Sequence, residues 1–233
     1  MMVSILRWSS ILLMVGLIYS CRNESVPEVA YKGALRNAMK HNDLSAYADL
    51  EDFKNLSNLY ALGALEGLSG EVMVINSIPY VSQSTEGGVK VENSWDHKAN
   101  FLVYAQVEDW KEYALPIELK TLSQLAKFIE ELDVKKPTPF LVEGLITSAS
   151  WHVVNWDKND SIHTHEKHIK SGAYDTFISQ PVTILGFYST EHKGIFTHHS
   201  LPIHAHVKTD GLGITAHLDE VVFGENMILK LPK

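Results

Sequence analysis

Cysteine is almost absent from this sequence of 233 residues, in which Cys21 is the only one. No intramolecular disulfide can therefore form. A block of basic residues is also lacking: 28 acidic residues outnumber 20 lysines and arginines, which gives a formal net charge of −8. This balance argues against a nucleic-acid partner and against binding to anionic lipid through surface charge.

Long apolar runs are absent except near the N-terminus, where SSILLMVGLIYS ends directly before Cys21. About a dozen apolar residues are too few to span a bilayer and are typical of a secretory signal. The sequence I-Y-S-C resembles the lipobox of bacterial lipoproteins. We therefore expect residues 1–20 to be a lipoprotein-type signal peptide, Cys21 to carry the lipid, and residues 22–29 to form a tether. An uncleaved N-terminal anchor helix is the alternative.

These expectations place the protein outside the cytoplasm, at the cell envelope, with the lipid anchor as its only contact with the membrane. The remaining sequence contains neither an internal repeat nor a low-complexity segment. With 45% hydrophobic and 21% charged residues it is typical of a globular protein. Because no break in composition divides it, we expect one domain over residues 30–233.

Two segments have the apolar spacing of a helix. The first runs from Tyr31 to Met39 and is expected to end at His41, Asn42 and Asp43. In the second, Thr121 and Gln124 fit a capping box. Its apolar face comprises Leu122, Leu125, Ala126, Ile129 and Leu132.

Most of the remaining sequence favours strands. Together with the few helices, this predicts an α+β fold dominated by mixed or antiparallel sheet. The predicted strands are Glu71–Asn76, Asn100–Val107, Phe140–Thr147, Trp151–Asn155, Val182–Tyr188, the two arms around Gly211, and Met227–Leu231.

Three histidines fall within the segment from Leu201 to His217. If Gly211 and Leu212 form a two-residue hairpin loop, His206 pairs with His217 across the strands. Because a strand sends residues i and i+2 to one face, His204 would join them there. Three imidazoles on one face can form a catalytic zinc site, which takes three protein ligands and keeps one position open. The alternatives are surface histidines without a ligand, or a register shifted by one residue.

The order of several motifs resembles the α-acetolactate decarboxylase family from about Tyr31 to the C-terminus. The motifs are LYALGALEGLSGEVMVIN at Leu59–Asn76, TILGFYS at Thr183–Ser189, and H-x-H-x10-H at His204, His206 and His217. The resemblance implies an acetolactate decarboxylase-like fold with its metal site on a β-hairpin.

The resemblance also implies a function and a set of site residues. His204, His206 and His217 would bind Zn²⁺, and Glu71 would be the acidic residue that faces the metal. The reaction would be the decarboxylation of 2-acetolactate to acetoin and CO₂ through a metal-stabilised enediolate, without an organic cofactor. The expected partner is a small-molecule 2-hydroxy-3-keto acid, and a homodimer is one alternative for the assembly.

Two departures from the family pattern leave a second function open. His152 lies where the family has an active-site arginine, and the family's glutamate in a C-terminal tail has no counterpart here. A histidine offers one donor where arginine offers a planar fork, so His152 cannot hold a carboxylate in the same way. The alternatives are a protein that keeps the fold as a metal- or ligand-binding envelope lipoprotein, or an enzyme for another 2-hydroxy-3-keto acid.

The sequence positions of the other histidines predict no functional role. Most histidine-rich loops are solvated connections, which is the expectation here. These residues are His97, His163, His165, His168, His192, His198 and His199.

Overall fold

The structure is a computed structural model that describes residues 27–134 and 137–233. The predicted signal peptide and Cys21 lie outside the described residues. Over the described ranges, no helix has both the length and the apolar character needed to cross a membrane.

Strands make up most of the regular structure, in agreement with the predicted α+β class. The strands are β1 (Ala30–Lys32), β2 (Ala48–Asp49), β3 (Leu59–Leu65), β4 (Glu71–Ile75), β5 (Ile78–Thr85), β6 (Gly88–Glu92), β7 (Lys98–Gln106), β8 (Trp110–Ala114), β9 (Thr138–Leu145), β10 (Ser148–Val153), β11 (Ala173–Ile178), β12 (Pro181–Tyr188), β13 (Ile203–Lys208), β14 (Thr215–Val222) and β15 (Ile228–Pro232). The helices are α1 (Leu35–His41), α2 (Leu122–Glu131) and α3 (His165–Ser171), with 3₁₀ turns at Leu50–Phe53 and Glu66–Leu68.

The strands form two antiparallel sheets. In the first sheet the order is β1-β7-β3-β4-β5-β6, with β2 also paired to β7. In the second sheet the order is β11-β10-β14-β13-β12-β9-β15-β8. Every pair of these strands is antiparallel. Hairpins connect β3 through β6, β10 to β11, and β12 through β14, whereas the other neighbouring strands are distant in sequence.

The two faces of the second sheet pack against different cores, as the alternation of side chains along β13 shows. Ala205 and Val207 pack with Leu125 of α2 in the larger apolar cluster. The intervening His204 and His206 face the first sheet. Because neighbouring strands follow the same alternation, the histidine-bearing face of the second sheet is turned toward the first sheet.

Between the two sheets, one region is apolar and another is polar. Leu62, Met73 and Phe101 of the first sheet pack against Leu185 and Phe187 of the second. Beyond this apolar patch the facing side chains include a buried carboxylate and several histidines. This polar region between two close-packed sheets is where a functional site can exclude bulk water.

The two helix predictions had different outcomes. Thr121 and Gln124 form the predicted capping box at the start of α2. Tyr31, however, was wrongly placed in the first helix: it lies in β1 and pairs with Val103, and α1 begins only at Leu35. The pairing of β1 with β7 is a long-range contact that overrides the local helical spacing.

The predicted strand segments all contain strands, with ends displaced by a few residues. Seven further strands and α3 were not predicted. Those strands are β1, β2, β3, β5, β6 and β11, together with the edge strand β8. Several of them are short, exposed edge or hairpin strands, in which the alternation of apolar and polar residues is weak.

Candidate metal centre and cavity

Three histidines lie side by side across three neighbouring strands of the second sheet. His206 of β13 pairs with His217 of β14, and His217 pairs in turn with His152 of β10. The first pairing is the register expected from a two-residue loop at Gly211 and Leu212. The turn closes with a hydrogen bond from the Gly213 N–H to the Asp210 carbonyl at 3.0 Å.

His204 joins this row from two residues earlier on β13. Its Nε2 is 3.1 Å from Nδ1 of His217, and its ring stacks on Phe101 of β7 at a centroid distance of 5.6 Å. The Nδ1–H of His204 donates to the Phe196 carbonyl at 3.1 Å. That bond fixes the ring and leaves Nε2 with its lone pair, as is usual for metal-ligating histidines.

His198 completes the cluster, although it lies outside any strand. It comes from the loop between β12 and β13, and its ring centroid is 5.3 Å from those of both His204 and His217. The potential ligand nitrogens of these three residues all lie within 4.8 Å of one another. His198 was expected to lie in a solvated loop without a role, and only its position in a histidine-rich stretch could have signalled one.

Burial keeps the cluster neutral. It is the largest effect lowering the pKa of His204 and His217 well below the usual value, and neighbouring histidines lower both further. Burial likewise lowers the pKa of His198 to about 4 and that of His206 to about 3. Neutral imidazoles are the form that binds metal ions, so no proton has to be displaced at neutral pH.

Glu71 begins β4 in the first sheet and faces the cluster. Its side chain is buried; Oε1 accepts a hydrogen bond from the Val154 N–H at 3.3 Å, and Oε2 is 3.6 Å from Nε2 of His206. Burial raises the pKa of Glu71 well above its usual range, although the Val154 N–H opposes the effect. The carboxyl is therefore held in a form that can carry a proton.

His152 is fixed by a carboxylate. Its Nδ1–H donates to both oxygens of Asp219, at 3.0 and 2.9 Å, and both side chains are less than one-tenth exposed. The ring of His152 is 4.8 Å from that of His217. The bond to Asp219 sets the tautomer and leaves Nε2 of His152 as the free ring nitrogen beside the cluster.

A β-bulge supports this pair. Ser150 is opposite Glu220, but Trp151 is opposite Leu218, so Asp219 is an extra residue on β14. The extra residue lets Leu218 and Val221 both pack in the core beneath α2. Bulges of this kind often redirect a side chain next to a functional site. The alternation of apolar and polar residues along β14 does not indicate this bulge.

A cavity of about 350 Å³ opens beside the cluster, within the range of small-molecule sites. Glu71, His152, His198, His204 and His217 all line it. His206 is fully buried and is not among the lining residues. The structure thus brings all five predicted site residues into one region, and it places His206 behind the surface of the cavity.

Helix α1 forms another part of the cavity wall. The N–H groups of Leu35 and Arg36 donate to the carbonyls of Ile195 and Gly194, each at 2.9 Å. These bonds attach the start of α1 to the same loop that carries His198. Arg36 is exposed and is the only lysine or arginine among the described residues that line the cavity.

The remaining histidines lie outside the cluster, although His168 also lines the cavity. His163 stacks on Trp156 at 4.3 Å, and its Nδ1 is 2.8 Å from Nε2 of His168. His97 pairs with Glu92, and His192 bonds to Ser189. His165 and His199 are exposed, although both reach the wall of the cavity.

Comparison with known proteins found matches only among solved structures; no protein-family model and no curated protein sequence matches. Acetolactate decarboxylase from Bacillus subtilis strain 168 superposes with a TM-score of 0.71 over 88% of this chain and 85% of that chain. This chain has the acetolactate decarboxylase fold. The sequence identity is 13%, so the likeness shows the fold alone.

Two further structures with the acetolactate decarboxylase fold match equally well. One is acetolactate decarboxylase from Bacillus subtilis subspecies spizizenii, at 14% identity and a TM-score of 0.70 over 88% of this chain and 85% of that chain. The other is a Staphylococcus aureus protein of unknown function described as similar to the decarboxylase. It also has 14% identity and a TM-score of 0.70, over 87% of this chain and 84% of that chain.

The residues of the cluster fit a metal ion. Two ligands in a tetrahedral zinc site are about 3.3 Å apart, given Zn–N distances of about 2.0 to 2.1 Å, and Nε2 of His204 is 3.1 Å from Nδ1 of His217. Among the described residues, neither ring nitrogen of the fully buried His206 has a hydrogen-bond partner of good geometry, although the backbone of Val72 lies near the ring and Glu71 is 3.6 Å from Nε2. Buried polar atoms without a partner are costly unless a ligand satisfies them. Imidazole donors suit zinc, copper, nickel and iron, and they do not select among these.

Proposed function

We propose that this protein is a zinc-dependent carboxy-lyase that decarboxylates 2-acetolactate to acetoin and CO₂. The observation that carries the proposal is the convergence of buried, neutral histidines and a buried carboxyl on one cavity of an acetolactate decarboxylase fold. The resemblance of the sequence motifs to that family supports the same substrate class, a 2-hydroxy-3-keto acid.

The reaction breaks the bond between the carboxylate and the adjacent carbon, and the electron pair stays on the fragment that becomes acetoin. A bound metal ion would supply Lewis-acid stabilisation of that negative charge, held by His204 and His217 together with His206 or His198. The fragment must then receive a proton on carbon. Glu71 is the donor in this proposal, because burial favours its protonated form and it lines the same cavity. Solvent returns the proton to Glu71.

Two other side chains orient the substrate. Arg36 is the cation that the cavity offers to a carboxylate, by a charge-assisted contact. His152 cannot form the bidentate pair of an arginine, but Asp219 orients its ring so that Nε2 can accept a hydrogen bond from a substrate hydroxyl group. In this proposal Arg36 contacts the substrate carboxylate and His152 contacts a second substrate oxygen, in place of the single arginine of the family.

The test is acetoin production from racemic acetolactate by the zinc-loaded full chain. The His204→Ala, His206→Ala double variant is the comparison, and His97→Ala, which changes a histidine remote from the cavity, is the matched control. The proposal predicts acetoin from the parent and from the control but none from the double variant. A folded, metal-loaded parent that forms no acetoin would contradict it and would favour the alternative of a metal- or ligand-binding protein, or another hydroxy-keto acid substrate.

We also propose that the protein is exported and held at the cell envelope by a lipid on Cys21. The apolar run and I-Y-S-C motif in the sequence support this. In bacteria fed labelled palmitate, the full chain should carry the label and sediment with membranes, whereas Cys21→Ala should lose both properties. An unlabelled full chain in the soluble fraction would refute the anchor.

A further inference from the structure

We propose that His198, from the loop between β12 and β13, is a ligand of the metal ion on the cavity side of the cluster. The H-x-H-x10-H motif does not include this residue. The inference depends on the proposed function only in requiring that the histidine cluster binds a metal ion.

By distance, His198 is as good a candidate for a metal ligand as His206. The ring centroid of His198 is 5.3 Å from those of both His204 and His217. The corresponding distances from His206 are 5.3 and 5.4 Å. However, only the set with His198 brings its ligand nitrogens within 4.8 Å of one another in the part of the chain that the structure describes.

His198 and His206, the two candidates for the third metal ligand, differ in their access to the cavity. His198, His204 and His217 all line the cavity, whereas His206 does not. Both His198 and His206 contact the pair formed by His204 and His217, but no ring contact joins them to each other within the described ranges. His198 therefore contacts that pair from the lining of the cavity, whereas His206 contacts it from a fully buried position 3.6 Å from Glu71. An ion that a substrate can reach would meet His198 first.

The loop that carries His198 is folded, so its position is fixed before any ligand binds. Thr197 is fully buried, and its carbonyl accepts a hydrogen bond from the Gly194 N–H at 2.7 Å. The Ser189 N–H donates to the Pro202 carbonyl at 2.9 Å and closes the base of the loop. A side chain held by such a loop can act as a ligand at little cost in conformational entropy.

The experiment measures metal binding rather than turnover. Chelator competition gives the zinc affinity of the full chain, and the visible absorption of the Co²⁺-loaded chain reports the coordination of the ion. The variants are His198→Ala and, as a matched control, His199→Ala, which removes the exposed neighbouring imidazole. His204→Ala, which removes a member of either ligand set, is the positive control for lost binding.

The proposal predicts that His198→Ala weakens zinc affinity at least about tenfold, the smallest loss seen when even a group that supports a ligand is removed. It also predicts an altered Co²⁺ spectrum, while His199→Ala keeps the parent's affinity and spectrum. If His198→Ala does not fold, His198→Asn carries the same test. Parent-like affinity and spectrum in His198→Ala would overturn the inference and leave the proposed decarboxylase intact. A folded parent that binds no metal would overturn both.

Discussion

The bond between Asp219 and His152 offers a direct test of how the cavity handles its substrate. Asp219→Asn keeps the size and shape of the side chain but removes its charge. It also replaces one of the two acceptor oxygens, which now lie 2.9 and 3.0 Å from Nδ1 of His152, with an NH₂ donor. The orientation of the ring then rests on a weaker, neutral hydrogen bond. His152 remains in place on β10 because its backbone pairing with His217 is unchanged.

The size of the effect follows from the change in bond type. Hydrogen bonds to charged groups are worth about 1.5 to 3 kcal/mol, and neutral ones about 0.5 to 1.5 kcal/mol. The difference, about 1 to 2 kcal/mol, corresponds to about a five- to thirtyfold loss of rate if the orientation of His152 matters at the transition state. The loss should fall on kcat with little change in KM, because the ground-state contact of the substrate carboxylate is assigned to Arg36.

Steady-state kinetics of acetoin formation, with metal content and thermal stability measured on the same samples, check this prediction. Glu220→Gln is the matched control, because it removes the charge of the exposed neighbour in the same bulge. Equal kcat values for Asp219→Asn and Glu220→Gln would refute the orienting role of Asp219. A fall in activity that merely tracks a loss of bound metal would refute it as well.

Four further predictions concern the site and the fold. Glu71→Gln should lower kcat at least about a hundredfold, because the proton donor is lost, while metal content stays at the parent's level. Arg36→Ala should raise KM for acetolactate about tenfold or more, because a charge-assisted contact with the carboxylate is lost. Burial lowers the pKa of His168 to about 4 from its usual 6.5. Between these pH values the unfolded chain binds a proton that the folded chain does not, so the stability of the fold decreases as the pH falls through that range. His168→Asn should reduce by about 2 kcal/mol the loss of unfolding free energy between pH 7 and pH 5, as measured with urea. Gly63→Ala should destabilise the protein by at least about 2 kcal/mol, because its Cβ would lie 1.9 Å from the Phe101 carbonyl oxygen.

Several controls make these outcomes decisive. Gly87→Ala places its Cβ no closer than 4.0 Å to a neighbour, so it should leave the urea midpoint unchanged where Gly63→Ala lowers it. Lys32→Ala, outside the cavity lining, should leave KM unchanged where Arg36→Ala raises it. Full turnover in Glu71→Gln would show that Glu71 is not the proton donor. An unaltered pH dependence in His168→Asn would mean that another group titrates in that window.

The sequence was most informative where the interactions are local. The capping box of Thr121 and Gln124 lies within four residues, and the turn at Gly211 sets the register that pairs His206 with His217. The same register places His204 on their face because side chains alternate along a strand. Short-range turn and cap geometry, which the residue types encode directly, therefore predicted the centre of the site.

The rest of the site depends on contacts that local patterns do not encode. His198 reaches the cluster because a long loop folds back over β13 and receives the start of α1. Asp219 reaches His152 through a bulge that changes the alternation along β14. Arg36 reaches the cavity from α1. This helix was expected to begin at Tyr31, but Tyr31 and Lys32 instead lie in β1 and pair with β7. Each of these depends on tertiary packing between segments distant in sequence.

Acetoin formation as a function of metal occupancy is the most direct test of metal-dependent decarboxylation by this protein. The chelator-treated full chain is reloaded with increasing amounts of zinc, and the initial rate is compared with the metal bound per chain. We expect a rate that rises in proportion to bound zinc, reaches its maximum at about one ion per chain, and is absent in the His204→Ala, His206→Ala variant. Acetoin formation that is independent of bound metal, or none at full occupancy, would contradict it.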